Sequence, residues 1–287
     1  MRFGLVVDTL PAANTLDTMT ALAARAESVG FDLVWLAEGG PGLSSPAVCA
    51  SALAPRTSTI HVAMSVQAGV NPVYLAEEAA VADLCLGGRL VVALGADSEP
   101  LLAETVDVML AGVAARPFRH TGEYFRIPAS LPGNDINRAE RLRITPATAS
   151  LEVPIWLTGP HAAEVGAQRC LTFVGSGQET TETMADRWRG VEARLGLAAR
   201  RLRRVAVRDV TSDSDGRVDI ETLAGTLRAD QRSWGLDIAL LRLPDASLEL
   251  HLATLDELAM KVLPRVQLDQ LPDGLETYWN QQQEAAT

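Results

Sequence analysis

Residues 16–38 read LDTMTALAARAESVGFDLVWLAE, and this stretch contains the unit from which the fold is built. Leu16, Met19, Ala23, Ala26 and Val29 recur at three- and four-residue spacing, the period of a helix with one buried face. Gly30 supplies the stop signal, because glycine enters a left-handed turn without a steric penalty. Residues 32–38 (DLVWLAE) are then apolar almost throughout, as expected of a parallel strand covered on both faces.

The same alternation extends along the chain. Strand-like runs fall at 2–8 (RFGLVVD), 59–66 (TIHVAMSV), 89–95 (RLVVALG), 153–159 (VPIWLTG), 170–175 (CLTFVG), 204–211 (RVAVRDVT) and 237–243 (DIALLRL). Helical stretches separate them: Asn71-Pro72 opens one that ends at Gly87-Gly88, and others cover 99–116, 180–197 and 219–234. Eight strand–helix units predict an α/β fold, a closed (β/α)8 TIM barrel, with a doubly wound open sheet as the alternative. The barrel is expected to be one domain over 1–267, followed by a C-terminal extension at 268–287. The rhythm breaks once, between the fourth and fifth strands, leaving about 117–150 as an insertion. Its pieces 122–128 and 141–144 are expected to pair with each other over the C-terminal mouth.

With 287 residues, 47% of them hydrophobic, the chain can bury a large core and is not disordered. A net charge of −11 opposes docking on a nucleic-acid backbone. The local exception, Arg200-Arg201-Leu202-Arg203-Arg204, precedes a strand and reads as a solvated helix terminus at the barrel's non-catalytic end. Cys49, Cys85 and Cys170 each sit in an apolar stretch and read as reduced core residues of a cytosolic protein. No run approaches the roughly 20 apolar residues of a membrane span, and Asp8 comes too early for a signal peptide. A soluble, cytoplasmic protein without membrane or nucleic-acid partners is expected. No histidine pair has metal-ligand spacing, so no metal is expected. Thr211–Gly216 imitates a calcium loop, but its twelfth position is Thr222 instead of a glutamate, which favours a plain turn.

In a barrel, chemistry comes from the C-terminal ends of the strands. Those ends carry Asp8, Glu38, Ser65-Val66-Gln67, Gly95-Ala96-Asp97, Thr158-Gly159-Pro160-His161, Ser176 and Arg242. At Thr158–Ala163 a strand ends in a small-residue turn and a helix begins at once. Its N–H groups and dipole suit a phosphate, although a tight strand-to-helix turn is the plain alternative. Glu38 reads either as a base or hydrogen-bond acceptor for a polar ligand, or as a surface acid.

Five segments follow one another in order: Ala26-Glu27 with Gly30-Phe31-Asp32, Trp35 and Glu38; Leu53-Ala54 with Arg56-Thr57-Ser58 and Ile60; Pro72 with Leu75-Ala76-Glu77; Asp83 with Gly87-Gly88-Arg89-Leu90; and Pro154-Ile155-Trp156 with Gly159. Together they resemble the signatures of the bacterial luciferase-like monooxygenase family. The resemblance covers roughly 1–95 and 150–175. It implies a TIM-barrel oxidoreductase or monooxygenase that uses FMN or the deazaflavin F420 on a small organic substrate, with Glu38 as the catalytic candidate. The isoalloxazine would lie beside Ser65, Val66 and Gln67, where a bulge with a non-prolyl cis peptide at Ser65-Val66 is expected. Asp8 is a further cofactor-binding candidate, and the phosphate would sit at Thr158, Gly159, His161 and Ala162. Trp35, Trp156, Tyr124 and Phe125 are the rings available to flank a flavin. A homodimer through 46–55 and 72–86 is also implied.

The chain departs from the family where Glu38 is followed by Gly39-Gly40 instead of a histidine, and where Asp97 replaces a phosphate-binding arginine. Arg208, Arg242 or an arginine of the insertion is expected to compensate. The alternative reading is a degenerate, non-catalytic barrel acting as a partner subunit or ligand-binding protein.

Overall fold

A computed structural model describes residues 1–8, 15–37, 45–114, 116–128, 141–212 and 217–268. Eight parallel strands close a barrel: β1 (Arg2–Val7), β2 (Leu33–Leu36), β3 (His61–Gln67), β4 (Leu90–Gly95), β7 (Ile155–Thr158), β8 (Thr172–Gly175), β9 (Val205–Asp209) and β10 (Ile238–Arg242). β1 pairs with both β2 and β10, so no edge remains in the barrel. The helices α1 (Thr15–Ser28), α2 (Pro46–Leu53), α3 (Pro72–Cys85), α4 (Glu99–Val113), α5 (Ala162–Arg169), α6 (Thr181–Leu195), α7 (Ile220–Trp234) and α8 (Leu248–Lys261) surround it, and α9 (Leu263–Leu268) follows. The predicted TIM barrel is the observed fold, and the open sheet is excluded by the β1–β10 ladder.

Side-chain parity along the strands separates two cores. Phe3, Leu5, Leu94, Leu157, Phe173 and Leu241 point outward and pack against apolar helix faces such as Met19, Leu22 and Ala26 of α1. The lumen is filled by the opposite set, including Leu33, Trp35, Val91, Trp156, Val207 and Leu240. The two lumen tryptophans are offset by alanines: Trp35 lies in register with Ala63 and Trp156 with Ala93. Large beside small is what lets a close-packed interior hold two indoles. Both side chains are thus lumen filling, nearly fully buried. Tyr124 and Phe125 belong to the insertion on the barrel's flank.

That insertion lies elsewhere than expected. It leaves from the C-terminal end of α4 and re-enters at β7, so both junctions lie at the barrel's N-terminal face, opposite the mouth. A hairpin of β5 (His120–Thr121) and β6 (Arg126–Ile127) lies against α4, where the Glu104 carboxylate accepts the N–H groups of Glu123, Tyr124 and Phe125 at 2.7–3.0 Å. His120 Nε2 adds a fourth contact at 3.0 Å. The buried Ile144 lies beside Gly112 of α4 and Ala76 of α3, and Ser150 bonds to Asp83 of α3 at 2.8 Å. The pairing also differs from expectation: 120–121 pairs with 126–127, and Leu142 bridges to Phe118.

The cysteines are a further correction. Cys49 is half-buried, whereas Cys85 and Cys170 are exposed. Cys85 ends α3 on its outer side, and Cys170 is the left-handed C-cap of α5 (φ 56°), which turns it out of the core. Among the described residues no helix is long and apolar enough to cross a membrane.

Candidate active site

At the C-terminal mouth the inward positions form two unlike halves. On one side Gln67, Gly95 and Thr158 stand in register across β3, β4 and β7. A Cβ built on Gly95 would stand 2.7 Å from the Thr158 hydroxyl and 3.2 Å from Gln67 Oε1, so only glycine leaves this row open. On the other side Arg242 of β10 reaches Asp8 at 2.8 Å and Asp209 of β9 at 3.3 Å. One half of the mouth is neutral and hydrogen-bonding; the other holds two carboxylates around one guanidinium.

Below the neutral half, the Trp35 indole N–H donates to Ser65 Oγ at 2.6 Å. Ser65 is therefore committed to satisfying a buried indole. Val66 points into the outer core with the helices, away from the lumen. The ladder from β3 to β4 runs unbroken through Ser65, Val66 and Gln67, and the cis bonds of the described residues both precede proline. The bulge expected at Ser65-Val66 is absent, each residue keeping its partner on β4, and the bond is not among the cis bonds of the described residues.

The turn after β7 is the second component. Gly159 adopts φ 88°, a left-handed value that favours glycine. His161, the N-cap of α5, makes no side-chain cap, as Ser45 on α2 and Ser98 on α4 make none, whereas Asn71 on α3, Thr180 on α6, Asp219 on α7 and Ser247 on α8 do. Its ring instead crosses to the next loop, where Nε2–H donates to the Asp97 carbonyl at 3.1 Å. A carbonyl only accepts, so Nε2 carries a proton in this contact. The Ala162 N–H is used locally, on the Gly159 carbonyl at 3.3 Å, and its side chain is buried.

Beside this turn opens a cavity of about 470 Å³, lined by Gly159, Pro160, Val174, Ser176, Glu179 and Arg187. Arg187 comes from the second turn of α6; it pairs with Glu179 and lies 4.8 Å over the Phe173 ring. Glu179 in turn accepts the Ser176 N–H at 2.7 Å. Ser176 is one of the strand-end residues that the sequence points to, whereas α6 shows no local motif that marks Arg187. Arg208, expected as a compensating arginine, faces outward: its Nε contacts the fully buried Asp230 of α7 at 2.6 Å. Glu38 lies outside the described residues, as do Gly39 and Gly40. Among the described residues no three His, Cys, Asp or Glu side chains converge as a metal site.

These residues suit an anionic, phosphate-type group. The Gly159 turn has no side chain above it, α5 begins without a side-chain cap, and Ser176 and Arg187 line the adjoining cavity.

Comparison with known proteins agrees with this architecture. The model of the luciferase-like monooxygenase family matches residues 1–218. The fold is similar to that of monooxygenase RslO1 from Streptomyces bottropensis, at 15% identity and TM-score 0.74, covering 92% of this chain and 99% of that one. It is also similar to the FMN-bound oxygenating constituent of 3,6-diketocamphane monooxygenase from Pseudomonas putida, at 16% identity and TM-score 0.69, covering 93% and 98%. The F420-dependent tetrahydromethanopterin reductase of Methanopyrus kandleri superposes with TM-score 0.72 at 11% identity, covering 92% and 99%. No functionally curated protein matches the sequence significantly.

Proposed function

The chain belongs to the luciferase-like monooxygenase family, and on that premise we propose that it is a flavin- or deazaflavin-dependent oxidoreductase acting on a small organic substrate at the barrel mouth. The observation that carries the reading is the uncapped start of α5, opening beside Ser176 and Arg187. FMN and F420 both present a phosphate to such a cradle. Gly159, Ser176, Arg187 and the first turn of α5 would hold it, while the open row at Gly95 leaves room for a ring beside Gln67 and Thr158. When bound, the cofactor supplies two-electron redox chemistry.

The chain's own residues bind, orient and exclude water. Trp35 and Trp156 plug the lumen beneath the mouth, so a ring seated there rests on a dry floor. Gln67 and Thr158 offer an amide and a hydroxyl to its polar edge. Arg242, held between Asp8 and Asp209, faces the opposite side and orients a polar substrate group. Glu38, which follows β2 in sequence, is the proposed acid–base residue. A homodimer fits the exposed apolar side chains of Val48 on α2 and of Tyr74, Val81 and Leu84 on α3.

One observation favours a second reading, a non-catalytic barrel: both described acids of the charged half, Asp8 and Asp209, are engaged by Arg242. Titration of the purified protein with FMN and with F420, followed by absorbance and thermal unfolding, tests the proposal. One of the two is expected to bind and to raise stability by about 2.7 kcal/mol at a hundredfold excess over Kd. Failure of both to bind defeats it, and binding without turnover of any reduced cofactor selects the second reading.

A further inference from the structure

We propose that the barrel's N-terminal face carries a separate binding site for an anionic amphiphile, a molecule with an acyl or aromatic body and a carboxylate head. The cleft there encloses about 630 Å³, more than the 470 Å³ beside Gly159. It is built by three connections: from α4 into β7, from α5 into β8, and from α6 into β9. Volumes of this order hold small organic ligands.

Two features of the cleft belong to different halves of one ligand. Its apolar wall is offered by Ala114, Leu151 and Pro154, which are exposed, and by the half-buried Leu110 and Leu171, over a buried floor of Val113, Val153, Ile155 and Leu202. Leu151 stands on its lip wholly exposed, at 100% of its free accessibility. Its outer wall is basic, with Arg116, Arg169, Arg201 and Arg203 against a single acid, Glu152. Arg169 is already held by Asp107 at 2.8 and 2.9 Å. Among the described residues Arg116, Arg201 and Arg203 have no carboxylate partner.

Three guanidinium groups without a bound carboxylate thus share one cleft with the single acid Glu152, in a chain of net charge −11. The arginine run at 200–204 thus divides by direction. Arg204 turns inward to Glu192 and over the Trp188 ring, whereas Arg201 and Arg203 line the cleft. Arg203 also borders a neighbouring cavity of about 440 Å³, which Arg2 and Asp237 line as well.

The combination selects the ligand class. A bare anion would leave the apolar wall and Leu151 in water. A neutral hydrocarbon would cover that wall but leave the guanidinium groups unanswered, whereas a carboxylate matches their planar donors in pairs. The site lies at the opposite end of the barrel from the mouth, and it does not depend on which cofactor, if any, binds there.

Decanoate, below its micellar concentration, is the probe. Calorimetric titration of the full chain is expected to show one saturable site, weakened by added salt. Decanol and acetate are each expected to bind at least about tenfold more weakly, as each answers half of the cleft. The double variant Arg116→Gln with Arg203→Gln is expected to lose about tenfold in affinity with an unchanged unfolding midpoint, since both side chains are exposed. Absence of saturation, decanol binding as tightly as decanoate, or undiminished binding in the arginine variant overturns the proposal. Displacement of decanoate by a polyglutamate peptide of higher affinity also overturns it, in favour of an acidic protein partner.

Discussion

Glu27 of α1 accepts the backbone N–H of Ile60 at 2.9 Å, binding the first helix to the segment that feeds β3. The same carboxylate takes the N–H groups of Ser58 and Thr59 and the Thr59 hydroxyl. Burial opposes ionisation of Glu27, but these donors outweigh it and pull the pKa from 4.5 down to about 2. A depressed carboxylate stabilises the fold fully above its unfolded pKa and loses that contribution as pH falls through the folded value. Glu27→Gln is therefore expected to cost about 1 kcal/mol at neutral pH, a figure kept small because the site is partly solvated. Urea unfolding of both proteins at several pH values should show their difference shrinking from pH 5 toward pH 2. A difference independent of pH would falsify this role.

Glu27 is also one of the residues on which the family resemblance rests, and it is typical of them. Asp32 accepts the Phe3 N–H at 3.1 Å, Arg89 donates to the carbonyls of Thr57, Ile60 and Leu86, and Asp83 receives Ser150. All of these contacts lie at the N-terminal face, where helices hand over to strands. The signature thus specifies how the barrel closes, and for this reason the fold was legible. The mouth was legible only in part. Gly95, Thr158 and Gly159 announce themselves as strand ends, but Arg242 meets Asp8 because the last strand closes onto the first, a relationship no local pattern carries. Arg187 arrives from inside a helix, and the insertion lies at the N-terminal face because it follows α4 and precedes β7, a position that its length alone does not reveal.

The Arg208–Asp230 pair makes the largest single prediction for stability. Asp230 is fully buried and also accepts Thr181 Oγ1 at 2.8 Å and the Trp234 indole at 3.0 Å, so it joins β9, α6 and α7. Asp230→Ala strands a buried guanidinium and is expected to cost about 3–5 kcal/mol. The double change Arg208→Met with Asp230→Leu removes both charges and should recover much of that loss. Equal losses in the single and double variants, measured by denaturant midpoint, would mean that the cost comes from packing.

Gly95 tests the neutral half of the mouth. A methyl there meets Thr158 Oγ1 at 2.7 Å, inside van der Waals contact, so Thr158 or Gln67 must move. Gly95→Ala is expected to leave the barrel folded and to weaken FMN or F420 binding by about tenfold, near 1.4 kcal/mol. Thr158→Ser, which keeps the hydroxyl but frees it from the β-branch so that it can rotate away, should restore part of the affinity in the double variant. Unchanged cofactor affinity in Gly95→Ala would place the ring elsewhere.

Arg187 and Glu179 predict effects of opposite sign. Glu179 already occupies the guanidinium, so a phosphate beside Gly159 must share Arg187 with a carboxylate. Arg187→Gln removes the attraction and is expected to lower cofactor affinity about tenfold. Glu179→Gln keeps an oxygen for the Ser176 N–H but removes the competing charge, so affinity should rise several-fold. Both effects should fade as salt rises, because the cavity is open to solvent. Arg208→Gln, by contrast, is expected to lower stability and leave affinity unaltered, its side chain being turned away from the mouth. Dissociation constants for the three variants at low and high salt decide the matter. A loss of affinity in Arg208→Gln with none in Arg187→Gln would reverse the assignment of the phosphate-side arginine.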